Sequence, residues 1–337
     1  MDGFRPCPLS YSKDRILPLD PRAKLPIVLV FVLVSASNPV AIKFALESGW
    51  SALPLGIARM GFIGLFFLLW VLAAREHPLG ASPQGRRYSL MAACCKGVGV
   101  LTFYLALSLV PASRVIVLST FSPVVALLMI HWLLEHERVR GRQWLGVAIS
   151  FAGLALLLFF RGKLSLQGGQ PGHATLLGDV CMILSVIFHT AMVIFEKKAI
   201  LVGIRPRQLI VSTNLVSLLV FTAMAFAVDD SGFATVPMSA PALWAYGYLI
   251  SVAGVFLFYY RRWMVGVLEL GYITSFSHLG KAVGLLFAAM LLRETIPLSN
   301  LGAFTLILVG SMVSNRTGVA PAPGTDAAQL LSRRPRT

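Results

Sequence analysis

Ten stretches of the chain run apolar for about 20 residues each, broken by short polar or charged segments. At 1.5 Å per helical residue each is long enough to cross a hydrocarbon core of about 30 Å. The pattern places them at Leu25–Leu46, Pro54–Ala73, Tyr88–Leu109, Ala112–Leu134, Gln143–Phe160, Thr175–Phe195, Gln208–Val228, Trp244–Val267, Tyr272–Leu292 and Leu298–Asn315. The eighth is drawn through Arg261 and Arg262 because Trp263–Val267 is too apolar for an exposed loop. In the first, Ser35-Ala36-Ser37 resembles a signal-peptidase site, but the apolar run continues past it, which predicts an uncleaved helix.

The pattern is also duplicated. Tyr104–Gly153 and Arg261–Gly310 each pass from an apolar run to a charged cluster closing on a Glu (Glu137, Glu294). A Gly follows (Gly146, Gly302), then a second apolar run with a further Gly (Gly153, Gly310). Five spans per copy is an odd number, so the second copy enters the membrane in the opposite sense. The expected fold is an all-α polytopic membrane protein with ten transmembrane helices arranged as two inverted five-helix repeats. That architecture recurs in secondary transporters, with the substrate near the midplane. The expected organisation is a cytoplasmic leader over 1–24, a first repeat over 25–160, an outward linker over 161–174, a second repeat over 175–315 and a cytoplasmic tail over 316–337. The tail is too poor in apolar residues to fold alone.

Composition agrees. With 57% hydrophobic and 13% charged residues and a mean hydropathy of +0.78, the 337 residues carry more apolar surface than a soluble core hides. The net charge of +15 would suggest nucleic acid in a soluble chain. Here the cations sort by side: Arg75, Arg86, Arg87, Arg138, Arg140 and Arg142, then Lys197, Lys198, Arg205 and Arg207, fall in inward segments, whereas outward ones hold Arg114, Arg161, Lys163 and Arg293. The positive-inside rule then puts both termini in the cytoplasm, with the lipid bilayer as partner and no nucleic acid. The plasma (inner) membrane is the expected location. The four cysteines lack metal-ligand spacing, so no metal and no cofactor is expected. HExxH, Walker A, GxSxG and Gly-rich dinucleotide motifs are missing, which argues against an enzyme.

The segment SNPVAIKFAL with Arg59 after it, and then YLALSLVPASRVIVLSTFSPVVALLMIHWLLEHERVRGRQWLGVAISFAG, resembles the first EamA-type repeat of the drug/metabolite transporter superfamily. The second half resembles the second repeat less closely, with Gly280-Lys281 where the first half has Ser122-Pro123. The resemblance implies ten helices, cytoplasmic termini and secondary transport of small metabolites, frequently export. It leaves the substrate open.

Buried charge marks the candidate site, because an intramembrane cation costs at least about 2.5–3.5 kcal/mol on insertion scales and persists beside a cavity or a partner. Lys281 lies near the midplane of the ninth span, and Thr274, Ser277, His278 and Lys281 form one polar stripe at helical spacing. A packing stripe would suit Thr and Ser, but it serves an ammonium poorly. Lys96 is similarly deep beside Gly97 and Gly99, where another helix can approach; its alternative is snorkelling toward the cytoplasm. Arg262, with Arg261, and Tyr260, with Tyr259, join the site if the eighth span runs to Val267; otherwise they anchor the interface. Pro39 and Pro123 are expected to interrupt the first and fourth spans, and Asn38 shares the first break. Lys43 is assigned a structural pairing with Glu47, and Arg59 a reach to the outer headgroups. His189 and Glu196 share a helical face that allows proton relay, against pairing of Glu196 with nearby lysines.

These readings favour a secondary-active transporter, in the export direction, of a small organic anion or zwitterion such as an amino acid or a phosphorylated metabolite. A membrane enzyme acting on lipid-linked substrates and a non-transporting scaffold or sensor are the alternatives. A second copy of the chain is kept as a candidate partner.

Overall fold

In the computed structural model, residues 21–78, 80, 82–133, 141–159, 172–228, 237–261 and 270–315 are described. Within them the side chains of 21–25, 130–133, 141–142, 172–174, 201, 270–278 and 314–315 are not. The described chain is helical, with no strand. In order, the helices are α1 (Pro21–Glu47), α2 (Ala52–Ala73), α3 (Pro83–Leu109), α4 (Ala112–Ser119), α5 (Ser122–Leu133) and α6 (Gly141–Phe159). They continue with α7 (Gly172–Leu201), α8 (Pro206–Val228), α9 (Ala240–Ile250) with a π turn (Ser251–Phe256) at its end, α10 (Leu270–Leu291) and α11 (Leu298–Asn315).

Seven of the described helical runs are long and apolar enough to span a membrane, counting α4 and α5 as one and Ala240–Arg261 as another. Three shorter apolar stretches, Gln143–Phe159 in α6, Leu279–Leu291 in α10 and Leu298–Val313 in α11, complete the set. The leader through residue 20, the linker over 161–171, Glu137, Arg262 and the tail from 316 lie outside the described residues.

Caps explain why several helices start earlier than hydropathy predicts. Ser82 accepts a hydrogen bond from the Gly85 amide at 3.2 Å with Pro83 next to it, so α3 begins five residues before Tyr88. The Arg205 amide donates to Gln208 Oε1 at 3.0 Å at the start of α8, where Pro206 takes the first helical position. The expected break at Pro39 does not occur: α1 runs through Pro26 and Pro39 alike. The break associated with Pro123 does occur, directly after Ser119, the residue four before the proline. The amides of Thr120 and Phe121 bond back to Val117 and Leu118, separating α4 from α5 ahead of the missing proline donor.

The chain forms two compact units that cut across the proposed repeats, one from 1–116 with 174–295 and one from 117–173 with 296–337. In the first, α2 and α3 both pack on α8, and α1 packs on α9 and α10. The inner face of α2 follows helical spacing through Gly56, Arg59, Ile63, Phe67 and Val71. Phe221 presses so closely on Gly56 that an added Cβ there would meet the ring at 2.0 Å. Ile63, Phe67 and Val71 form a core with Ile210 and Val211. At one edge Glu76 binds Arg205 and Arg207. At another, Trp50 stacks on Tyr246 and donates to the Ala242 carbonyl.

In the second unit α6 and α11 are in backbone contact through the glycines that mark the duplication. A Cβ at Gly310 would lie 2.5 Å from the Gly146 carbonyl, and one at Gly153 would lie 3.0 Å from the Ala303 carbonyl. Small residues let apolar helices approach and gain dispersion energy where the hydrophobic effect between them is weak.

Candidate functional site

Arg59, in the middle of the buried face of α2, is 3% exposed. It does not reach for headgroups, as expected from the sequence, because three neutral acceptors surround it. Its NH1 donates to Tyr104 Oη of α3 at 3.1 Å. Its NH2 donates to Asn38 Oδ1 of α1 and to the Ala253 carbonyl, both at 2.8 Å. Among the described residues Nε has no partner and Arg59 forms no ion pair. The Tyr104 ring is fixed edge-on against Phe221, the same side chain that fills the space at Gly56.

The π turn explains how a buried carbonyl becomes available to a side chain. In an α-helix the Leu257 amide would bond to the Ala253 carbonyl. Here it bonds to Gly254 and Val252 instead, and Arg59 takes the carbonyl that the ladder has skipped. Gly254 is required beside it, since an added Cβ would meet Ile63 Cδ1 and the Leu249 carbonyl, each at 2.7 Å.

Lys96 is 6% exposed and does not snorkel. It donates to Asn214 Oδ1 at 2.9 Å and to Thr213 Oγ1 at 3.5 Å, and sits 4.5 Å from the centre of the Phe258 ring. The flanking glycines admit neighbours as their pattern predicts. A Cβ at Gly97 would meet Val220 of α8 at 2.8 Å, and one at Gly99 would meet His189 of α7 at 2.9 Å. His189 Nδ1 lies 3.0 Å from the Ser185 carbonyl.

Of the other sequence candidates, Asn38 is joined to Arg59, and Tyr260 donates to the Ile27 carbonyl of α1 at 2.9 Å. Lys281 is half-buried on α10, next to Gly280, which faces Ser35 and Val32 of α1. Ser277 and His278 lie one turn earlier on the same helix, with side chains outside the described set, and Arg262 lies outside it altogether. Arg261 is exposed at the last described residue of its helix.

Of two charges expected near the surface, one is fully buried and the other half-buried. Arg114, expected in an outward segment, is fully buried and binds Asp179 through two hydrogen bonds at 2.6 and 2.7 Å. Glu294 accepts from the amides of Ala112 and Ser113 at 2.7 and 2.8 Å, capping α4 from the far end of the sequence. Lys43 lies 4.0 Å from Glu47, as expected, and also donates to the Leu107 and Val110 carbonyls.

The residues that sequence reasoning missed are Tyr104, Asn214, Thr213 and the Ala253 carbonyl. A signal for two of them was present: Ser212-Thr213-Asn214 interrupts the apolar run of the seventh span.

Residues 24–159 match the model of the EamA-like transporter family. The match covers 136 of the 337 residues. The EamA-like segment takes in α1 to α6, and with them Asn38, Arg59, Lys96 and Tyr104. With the seven apolar spans it makes the chain a multi-pass membrane protein. The family is one of transporters, in keeping with the enzyme motifs missing from the sequence. No curated protein matches the chain. Sixteen chains of solved structures do. One, a crystal structure of a protein, shares 14% identity and superposes with a TM-score of 0.59 over 87% of this chain and 97% of that one. At that identity the likeness concerns the fold alone.

Proposed function

We propose that the protein is a secondary transporter of a small anionic or zwitterionic metabolite, working by alternating access and in the export direction. The observation that carries the charge preference is Arg59. A guanidinium held in an apolar interior by neutral groups is stable only while those groups replace its hydration, and an anion offsets its charge far better. Lys96 adds a second interior cation and Lys281 a third, half-buried, in the same unit.

Ten spans in two inverted repeats, with both termini in the cytoplasm of an inner membrane, complete the proposal. The seven long apolar helices and three shorter ones support the span count, and the sorting of Lys and Arg between loops supports the orientation.

The test is counterflow in proteoliposomes, with a panel of anionic, zwitterionic and cationic solutes, for wild type and Lys281→Gln. Saturable counterflow of an anion or zwitterion, weakened in the variant, is expected. Counterflow of cations alone would refute the charge preference, and no counterflow of any solute would refute transport.

A further inference from the structure

We propose that the anionic group of the transported solute takes Arg59 from the Ala253 carbonyl, and that the π turn at Ser251–Phe256 returns to α-helical register when it does. The inference rests on the proposed anionic substrate, and it assigns how binding is converted into movement.

The π turn and Arg59 support each other. The Leu257 amide skips Ala253 and divides itself between Gly254 and Val252. Ala253 is fully buried, so its carbonyl needs a donor, and Arg59 NH2 supplies one at 2.8 Å. If Arg59 leaves, the nearest replacement in the chain is the Leu257 amide, and accepting it restores the regular ladder.

Arg59 is also suited to leave. Its three hydrogen bonds occupy three of five guanidinium donors, and Nε is buried with no partner among the described residues. All three acceptors are neutral, whereas a carboxylate or phosphate brings a full opposite charge and can take two parallel guanidinium N–H groups.

The movement has a defined direction. Removing a π turn rotates the residues beyond it about the helix axis by up to about 100°, the angle of one α-helical residue. Two contacts lie on that side, Phe258 under Lys96 and Tyr260 on the Ile27 carbonyl. An anion arriving at Arg59 therefore releases Lys96 from its ring and Tyr260 from the Ile27 carbonyl of α1. Gly254 keeps Ile63 of α2 against the turn, so the register change is also felt on the helix that carries Arg59.

The experiment is hydrogen–deuterium exchange of the full chain in phosphatidylcholine nanodiscs, read on peptides covering residues 249–258. Without any solute, Arg59→Leu should slow exchange at the Leu257 amide by about two- to tenfold, as a divided hydrogen bond becomes a single one. If Arg59→Leu does not fold, Arg59→Lys must give the same slowing, because one ammonium cannot span Asn38 and Ala253. In wild type, succinate, alanine or inorganic phosphate should slow the same amide, choline should not, and Arg59→Gln should abolish the response. Unchanged exchange in the Arg59 variants, or an anion response that survives Arg59→Gln, overturns the proposal. Loss of counterflow for every panel solute would instead sink the functional reading, since the Arg59→Leu comparison needs no solute.

Discussion

Replacing Asp179 by Asn is expected to destabilise the protein more than replacing Arg114 and Asp179 together. Both side chains are fully buried, and Asp179 takes hydrogen bonds from Nε and NH2 of Arg114 through separate oxygens. Asp179→Asn preserves shape but removes the negative charge and turns one acceptor into a donor that opposes a guanidinium N–H. Breaking a buried pair from one side costs roughly 3–5 kcal/mol because the remaining charge stays desolvated, whereas apolar replacement of both partners is often neutral or stabilising. The double variant Arg114→Met/Asp179→Leu should therefore lie about 3 kcal/mol above the single one. Thermal unfolding in detergent, followed by size exclusion, measures this. At about 2 °C per kcal/mol for a large domain, Asp179→Asn should fall by roughly 6–10 °C and the double variant should stay within about 3 °C of wild type. A double variant as unstable as Asp179→Asn would mean that packing around α4 and α7, not charge compensation, is what the pair provides.

Gly310→Leu should prevent α6 and α11 from closing, because its first carbon would lie 2.5 Å from the Gly146 carbonyl; overpacking costs about 1–3 kcal/mol or more, and loss of a monodisperse elution peak is the expected readout. Glu294→Ala removes both acceptors from the α4 amides and should cost about 1–2 kcal/mol, seen as a lower melting temperature, while Glu294→Gln recovers part of it. Lys96→Met keeps an apolar stem beside Phe258 and should leave the protein folded while abolishing counterflow; full activity would remove Lys96 from the proposed site. Met238 is exposed ahead of α9, and Met238→Cys should react in intact cells with an impermeant thiol reagent, since the proposed topology puts it outside.

Hydropathy located the described helices to within a few residues wherever a span ends at the edge of apolar character, as for Leu298–Asn315. It erred where polar residues prolong a helix. The Glu196-Lys197-Lys198 run extends α7 to Leu201, past the expected Phe195, because a helix leaving hydrocarbon still satisfies its own backbone in water. The glycines of the duplication were legible because close helix approach leaves a mark that a single sequence retains. The Arg59 cradle was not. Its acceptors come from α1, α3 and the π turn, far apart in sequence, and one of them is a backbone carbonyl with no residue signature. Pro39 misled for a related reason, since α1 continues through it despite the lost donor.

The interior charges divide by what neutralises them, and the division bears on which are scaffold. Asp179 meets Arg114 with a full opposite charge in matched geometry, and Glu294 meets the positive end of α4. In both, a carboxylate faces a matching positive charge or helix terminus, so moving either charge costs stability and gains nothing. Arg59 has a complete hydrogen-bonding shell on one side only and no compensating charge among the described residues. Evolution of a purely structural bolt at that position would be served as well by a neutral donor, which carries a smaller desolvation penalty. A guanidinium retained at that cost is explained when a negative charge visits it, and the π turn gives that visit a mechanical consequence. Arg59→Gln, which still donates to one acceptor, is therefore the discriminating substitution: it should preserve folding and lose counterflow of anions. If it transports as wild type does, Arg59 is scaffold after all.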